Sequence, residues 1–216
     1  MDNLKETAYR NIKQRILSCE LMPGTRIKDK ELIEEIGVGR TPVREALMLL
    51  EQENLITVVP RSGTYVSEIS VEAVNELYQL RKIIEPSASV MVKNSADSMV
   101  LLDYCDKFEE LCHGNAQSNY LEMNALDVEF HKYIIGCAGN RRLSDYFTTM
   151  MELLYRLGIY NTMHTQNNPL ETTYSEHRAI AQAIISGDDE SIIKSYNEHI
   201  SRSQLASLTA LRYTEK

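Results

Sequence analysis

Residues 37–66 have the sequence GVGRTPVREALMLLEQENLITVVPRSGTYV, in which a helix with a basic first turn precedes two short β-rich runs. From residue 41 to about residue 53 the apolar positions follow the spacing of one buried helix face, and they are Val43, Ala46, Leu47 and Leu50. Residues 55–59 and 64–67 are rich in β-branched side chains and are separated by Pro-Arg-Ser-Gly. This pattern predicts a β-hairpin directly after the helix.

Two further helices are predicted before this stretch. Residues 4–19 carry apolar side chains at helical spacing, and the LMPG motif that follows ends the helix. Residues 29–36 form the second helix, with Asp29 as its N-cap and Gly37 as its C-cap. Three helices and a hairpin in this order are typical of a winged helix-turn-helix.

The third helix and the rest of the chain complete the expected architecture. We expect the Thr41 hydroxyl to cap the third helix, Pro42 to take its first position, and Ser70 to cap the next one. Helices without a convincing strand follow near 71–92, 97–113, 118–137, 141–163, 170–186 and 189–211, with breaks at Gly139-Asn140, Asn167-Asn168-Pro169 and Gly187-Asp188. The predicted fold is mostly α: a winged helix-turn-helix in residues 1–69 and an all-helical bundle in residues 70–216.

Composition narrows the class of protein. The net charge is −8, but it is divided unevenly, with −1 in residues 1–70 and −7 in the remainder. A near-neutral N-terminal part is compatible with DNA binding if its basic residues share one face. No apolar run approaches the roughly 18–20 residues that span a bilayer, so we expect no membrane association. The cysteines lack CxxC spacing and indicate reduced thiols in a cytoplasmic protein; they are Cys19, Cys105, Cys112 and Cys137.

The basic first turn of the third helix suggests contact with DNA. Arg40, Thr41 and Arg44 lie away from the apolar stripe, at the helix N-terminus where free N–H groups already favour phosphate. Recognition helices enter the major groove with these residues foremost, and arginine recognises guanine. Arg61 and Gly63, at the hairpin tip, would let the backbone approach the neighbouring groove. The alternative is a solvated helix with two surface arginines.

Residues 37–66 resemble the DNA-binding domain of GntR-family bacterial transcription regulators, whose motif is approximately GVSRTPVREAL followed by a wing, and the match spans residues 5–67. The resemblance implies that Arg40, Thr41, Arg44 and Gly63 contact operator DNA, and that Lys30 touches phosphate. Two positions depart from the pattern. Gly39 replaces a serine and Ser62 replaces a second wing arginine, and each change removes a possible DNA contact.

Four residues of the C-terminal part suggest a metal site. Asp127 and His131 are four residues apart and share a helix face, while His177 and His199 lie on apolar faces of later helices. One aspartate and three histidines suit a divalent transition metal such as zinc, nickel or manganese. The alternative for each histidine is a core residue bonded to a carbonyl, and spacing alone does not show that the three helices converge.

The helical part resembles the FCD-type ligand-binding domain of the FadR subfamily, and the resemblance then covers about residues 5–211. It implies that Asp127, His131, His177 and His199 hold a metal, beside which a small organic acid binds. Arg81, in an LRxxLE-like pattern, would clamp the acid's carboxylate, and Arg156 is a weaker candidate for that role. The alternative for Arg81 is a surface or interface salt bridge with Glu85.

These features predict a homodimeric transcription regulator, most often a repressor in this family, that binds an inverted-repeat operator. Effector binding beside the metal would change the affinity for DNA, and the linker at residues 67–71 would transmit the change. Two alternatives remain open. One is a metalloenzyme acting on a small carboxylate, and the other is a regulator that senses the metal itself.

Overall fold

The computed structural model describes residues 4–113, 116–164 and 170–214. The chain divides into two compact units, Met1–Ile69 and Ser70–Lys216. Within the described residues, no helix combines the length and the apolar character that crossing a bilayer requires.

The N-terminal unit contains three helices and three short strands. In chain order these are α1 (Leu4–Leu17), β1 (Arg26–Ile27), α2 (Asp29–Ile36), α3 (Arg40–Gln52), β2 (Ile56–Val59) and β3 (Gly63–Val66). Helix α1 packs on α3, and the predicted stripe of α3 is its buried face. Since Ile12, Ile16 and Leu50 are completely buried, this apolar contact holds the exposed face of α3 in place.

The sheet of the N-terminal unit has the strand order β1-β3-β2, and both pairings are antiparallel. The hairpin of β2 and β3 was predicted, whereas β1 was not, because a strand of two residues carries no alternating pattern. Arg26 of β1 lies opposite Tyr65 of β3. Strand β1 therefore brings an additional basic side chain next to the hairpin of β2 and β3.

The helix ends agree with the predicted caps in two places and differ in two. Gly37 ends α2 in the left-handed region with φ of +74°, and the Ser70 hydroxyl accepts a hydrogen bond from the backbone N–H of Ala73, as expected. The predictions for Asp29 and Thr41 are wrong. Lys28 and Gly39 occupy the cap positions of α2 and α3, so the two polar residues lie inside the first turn of each helix.

The C-terminal unit is a bundle of long helices. They are α4 (Val71–Val92), α5 (Ser98–His113), α6 (Ala116–Gly136), α7 (Arg141–His164), α8 (Leu170–Ser186) and α9 (Asp189–Thr214). Helix α4 packs on α9, α6 on α7, and α5 on α8. Each helix was predicted with bounds within three residues of these, while the predicted break at Asn167-Asn168-Pro169 lies outside the described residues.

Candidate functional site

The first turns of α3 present basic and polar side chains to solvent. Arg40, Thr41 and Arg44 are exposed, and the opposite face of the helix is buried in the core. The Nε of Arg44 lies 3.6 Å from Oδ2 of Asp29 in the first turn of α2. Lys30 is also exposed, with its Nζ 3.8 Å from Oε1 of Glu34. This surface thus offers cations at a helix N-terminus, where anions bind favourably.

The tip of the hairpin adds two more cations. Arg61 is exposed and has a left-handed backbone, with φ of +63°. Gly63 has φ of +147°, and a Cβ at this position would lie 2.9 Å from Nε of Arg26. Glycine is therefore favoured by the backbone conformation, and any other residue would also displace the exposed side chain of Arg26. Arg26 is itself exposed. The sequence did not indicate it as a DNA contact, because strand β1, on which it lies, was not predicted.

The structure brings the four predicted metal ligands together. Asp127 and His131 come from α6, His177 from α8 and His199 from α9, and one ligand atom from each lies within 4.8 Å of all the others. The three imidazoles are buried. Such a cluster is able to hold a metal ion, and its donor set of three nitrogens and one carboxylate suits zinc, nickel or manganese.

The Nδ1 atom of each histidine faces an oxygen acceptor. His177 Nδ1 donates to the backbone carbonyl of Thr173 at 2.7 Å, and His199 Nδ1 donates to Oε2 of Glu176 at 2.9 Å. His131 Nδ1 lies 2.7 Å from Oε2 of Glu85. Because the acceptors of His177 and His199 hold the proton on Nδ1, the lone pair of these two rings is on Nε2, as metal ligation requires.

The orientation of His177 also fits a metal ligand. Its Nε2 lies 2.9 Å from Oδ1 of Asp127, yet among the described residues no group is aligned to form a hydrogen bond with this buried nitrogen. A buried polar atom without such a bond is unfavourable. A cation shared between the nitrogen and the carboxylate would satisfy both.

The charge states at the cluster are those that ligation needs. Burial raises the pKa of the Asp127 carboxyl, but the close approach of His177, with the other two histidines, outweighs it and holds that pKa well below its usual range. Burial, together with the neighbouring histidines and Arg81, lowers the pKa of His199 well below its usual value. The aspartate is therefore ionised and His199 is neutral near pH 7.

Arg81 and Glu85 form a buried ion pair beside the cluster. The Nε of Arg81 donates to Oε1 of Glu85 at 2.5 Å, and both side chains are almost wholly buried. Although burial alone would raise it, the charge of Arg81 and the contact with His131 lower the pKa of Glu85 to about 2. Nη2 of Arg81 lies 3.4 Å and 3.3 Å from the Nε2 atoms of His131 and His199. Arg81 is thus neither at the surface nor limited to its salt bridge.

A cavity of about 650 Å³ adjoins this cluster. Asp127, His199 and Arg81 form part of its lining, and Arg202 contributes a second cation. The remaining lining is mixed, with the apolar side chains of Met123, Leu154, Leu157 and Leu205 and the polar side chains of Tyr78, Asn124, Asn161, Ser203 and Ser207. A small molecule in this cavity would therefore lie next to the metal ligands and to two guanidinium groups.

The two arginines predicted for effector binding have different positions. Arg81 lines the cavity, whereas Arg156 is buried on α7 and is not among the described residues that line it. Arg202, which sequence reasoning missed, lies on the cavity wall instead. Arg202 follows His199 by three residues, so both lie on one face of α9. This spacing is the sequence feature from which its position near the metal ligands could have been predicted.

Comparisons with known proteins match both units. The family model for bacterial regulatory proteins of the gntR family matches residues 4–66, and that for the FCD domain matches residues 76–202. The HTH-type transcriptional regulator YdhC of Bacillus subtilis (strain 168) is 28% identical over 179 residues, which are 82% of this chain and 78% of that protein. The HTH-type transcriptional repressor RspR of Escherichia coli (strain K12) is 25% identical over 201 residues, covering 91% and 86%.

A solved structure has a similar fold. A GntR transcriptional regulator from Rhodococcus sp. RHA1 superposes with a TM-score of 0.78 at 15% identity, over 95% of this chain and 97% of that one. At this identity the likeness concerns the fold alone. The order of the two family matches along the chain follows the order of the two structural units.

Proposed function

Since this chain belongs to the GntR family of bacterial regulatory proteins and is a DNA-binding transcriptional regulator with an FCD domain, we propose that it is a metal-dependent repressor released by a small organic acid. The acid binds as a carboxylate in the 650 Å³ cavity, beside a divalent transition metal held by the cluster of Asp127, His131, His177 and His199. The observation that carries this proposal is that two members of that cluster, Asp127 and His199, line the cavity together with Arg81.

Operator binding is assigned to the exposed face of α3 and to the hairpin. The proposed contacts are Arg40, Thr41 and Arg44 at the helix N-terminus, Lys30 on α2, and Arg61 with the Gly63 backbone at the hairpin tip. We add Arg26, which lies against Gly63. A homodimer would present this surface twice to an inverted repeat, and the cytoplasm is where such a protein meets its operator.

The balance of charge around the cluster supports one divalent cation and one carboxylate. Around the cluster Arg81 and Arg202 are positive, while Asp127, Glu85 and Glu176 are negative, which leaves a net charge of −1. A divalent cation changes this to +1, and it supplies open coordination positions for an anion. One carboxylate then brings the site to neutrality, which a buried site favours.

The size of the cavity favours an organic effector over a regulator that senses only the metal. About 650 Å³ is within the range of about 300–1,000 Å³ that small-molecule sites occupy. The metalloenzyme alternative is set aside, because the relatives of this chain are transcription regulators.

The metal claim is tested by elemental analysis of the purified full chain. His177→Ala and His199→Ala should each lower the bound metal, because each removes one of four ligands. His113→Ala is the matched control, since His113 is exposed and bonds to its own helix at Glu109. Equal metal content in the wild type and in both cluster variants would refute the metal site.

The DNA claim is tested separately with labelled operator duplex. Arg44→Ala should weaken binding by roughly 1–3 kcal/mol, the value of one good arginine contact, while the oligomeric state stays unchanged. Arg141→Ala, at an exposed arginine of α7 near Asp145, is the control and should bind as wild type. Unchanged affinity for the Arg44 variant would count against α3 as the recognition helix.

A further inference from the structure

Two chains of contacts with the same chemistry connect the metal cluster to the cavity. In each chain, one carboxylate oxygen of a glutamate lies within 2.9 Å of Nδ1 of a cluster histidine. The other oxygen accepts from Nε of an arginine that lines the cavity. We call them the His–Glu–Arg relays, and they are His131–Glu85–Arg81 and His199–Glu176–Arg202. The third histidine differs, because the Nδ1 of His177 donates to a backbone carbonyl of its own helix.

The second relay joins α8 to α9. Oε2 of Glu176 accepts from Nδ1 of His199 at 2.9 Å, and Oε1 accepts from Nε of Arg202. Both His199 and Arg202 also line the cavity. The two remaining nitrogens of the Arg202 guanidinium carry the N–H groups with which arginine binds a carboxylate in bidentate fashion. One carboxylate is thus shared between a metal ligand and a cation on the cavity wall.

We propose that Glu176 is a positioning residue through which carboxylate binding at Arg202 and metal binding at His199 strengthen each other. This inference rests on the proposed function, because it names how the two ligands of that site regulate one another. In this role Glu176 contacts His199 and Arg202 and touches neither the metal nor the carboxylate.

The sign of the coupling follows from the shared charge. When an anion neutralises Arg202, less of the Glu176 charge is engaged by the guanidinium and more acts on the Nδ1–H of His199. A stronger acceptor at Nδ1 makes Nε2 a more basic ligand, so the metal is bound more tightly. By thermodynamic linkage the metal must then raise the affinity for the acid by the same factor.

The Glu176 relay is the better one to test. Glu85 and Arg81 are almost wholly buried, so removing either would leave an uncompensated charge in the core. The side chains of Glu176 and Arg202 are 17% and 29% exposed, so solvent reaches both after a substitution. Glu176→Gln keeps an acceptor for His199 and removes the charge, whereas Arg202→Met removes the cavity cation and leaves Glu176 to His199 alone.

The experiment measures the zinc Kd of the full chain by competition with a chromophoric chelator, with and without saturating acetate as the carboxylate probe. In the wild type, acetate should lower the zinc Kd. Glu176→Gln should raise the zinc Kd by about 10-fold, as expected for a residue that orients a metal ligand, and should reduce the acetate effect towards none. Glu198→Gln, on the exposed side of α9, is the control and should behave as wild type.

Arg202→Met separates a positioning role from a merely structural one. It should abolish the acetate effect while the zinc Kd stays at or below the wild-type value, because Glu176 is then engaged by His199 only. A structural role would instead weaken zinc binding in both variants alike, and that result overturns the inference. This second variant also keeps the proposal testable if Glu176→Gln does not fold.

Failure of the inference and failure of the proposed function give different results. Zinc binding that acetate tightens equally in the wild type and in Glu176→Gln refutes the coupling and leaves the proposed function standing. Zinc binding that acetate does not change in the wild type also refutes the coupling. A wild type that binds no zinc, nickel or manganese removes the metal-dependent function, and the inference with it.

Discussion

Asp29→Asn should increase the affinity for operator DNA. In the free protein Oδ2 of Asp29 lies 3.6 Å from Nε of Arg44, so the arginine assigned to the operator is partly engaged by a carboxylate. DNA binding must break or weaken this pair, and it must also bring the carboxylate towards phosphates. The substitution removes both penalties while it keeps the size and polarity of the side chain.

The size of the gain follows from the geometry. Two unit charges at 3.6 Å interact by about 1 kcal/mol in a medium of water-like dielectric constant. The side chains of Arg44 and Asp29 are 60% and 34% exposed, and measured pairs of this kind contribute about 0–1 kcal/mol. A gain of one kcal/mol in the binding free energy of one DNA-binding unit is a factor of about five in Kd. For the proposed homodimer, with two DNA-binding units on one operator, the upper limit is therefore roughly 30-fold.

Fluorescence anisotropy with a labelled operator duplex measures this gain, and it should shrink as salt increases, because ions screen the exposed pair in the free protein. Asp103→Asn, which removes a similar exposed pair with Lys107 in the C-terminal unit, is the control and should leave the affinity unchanged. Asp29 also lies in the first turn of α2, so a small loss of stability of about 0.3–1 kcal/mol is expected. Binding by a folded Asp29→Asn protein that is no tighter than that of the wild type would refute the reasoning that this ion pair opposes operator binding.

Three other changes give independent checks. Gly63→Ala should lower operator affinity and destabilise the hairpin by about 1–3 kcal/mol. The reason is that an alanine would have to adopt a φ of +147°, with its Cβ 2.9 Å from Arg26. Operator binding equal to that of the wild type would contradict the expected loss of affinity. Burial and a hydrogen bond to Glu171 raise the pKa of Cys112 to about 11. Alkylation of this thiol at pH 8, followed by mass spectrometry, should therefore be about 100-fold slower than alkylation of a free thiol. Glu171→Gln should accelerate the reaction. Ser70→Ala should cost about 1 kcal/mol in urea unfolding, because it removes the side-chain cap of α4, and an unchanged unfolding midpoint would argue against that cap.

The fold was predictable where local patterns determine the structure. Helices α4 and α8 have the predicted bounds, 71–92 and 170–186, because each shows an apolar face at helical spacing and a clear end signal. The cap predictions at Asp29 and Thr41 failed because Lys28 and Gly39 take the cap positions without a side-chain hydrogen bond, so the preference for a capping side chain does not decide where these two helices begin. Strand β1 depends entirely on pairing with β3, and no local pattern encodes such a contact.

The site was predictable in its ligands and unpredictable in its surroundings. Asp127 and His131 share a helix face through their spacing, but the approach of His177 and His199 depends on how α6, α8 and α9 pack. The same packing places Arg202 on the cavity wall and Arg156 away from the lining. Glu176 directly precedes His177 in the sequence, yet it contacts a different histidine, on the next helix.

Helix α4 gives the proposed effector site a rigid covalent connection to the chain segment that follows the DNA-binding unit. The helix begins at Val71, directly after its cap at Ser70, and continues to Val92, with Pro86 in its second half, beyond Arg81. Arg81 lies eleven residues beyond the cap, which is about 16 Å along the helix axis at 1.5 Å per residue. In the proposed mechanism, a carboxylate that displaced the backbone at Arg81 would displace residue 71 through the helical turns between them. Effector binding and operator binding would then be coupled by about 1–3 kcal/mol, as is typical of allosteric proteins. Such a coupling requires only that the displacement be more favourable in one arrangement of the DNA-binding units of the proposed dimer than in another.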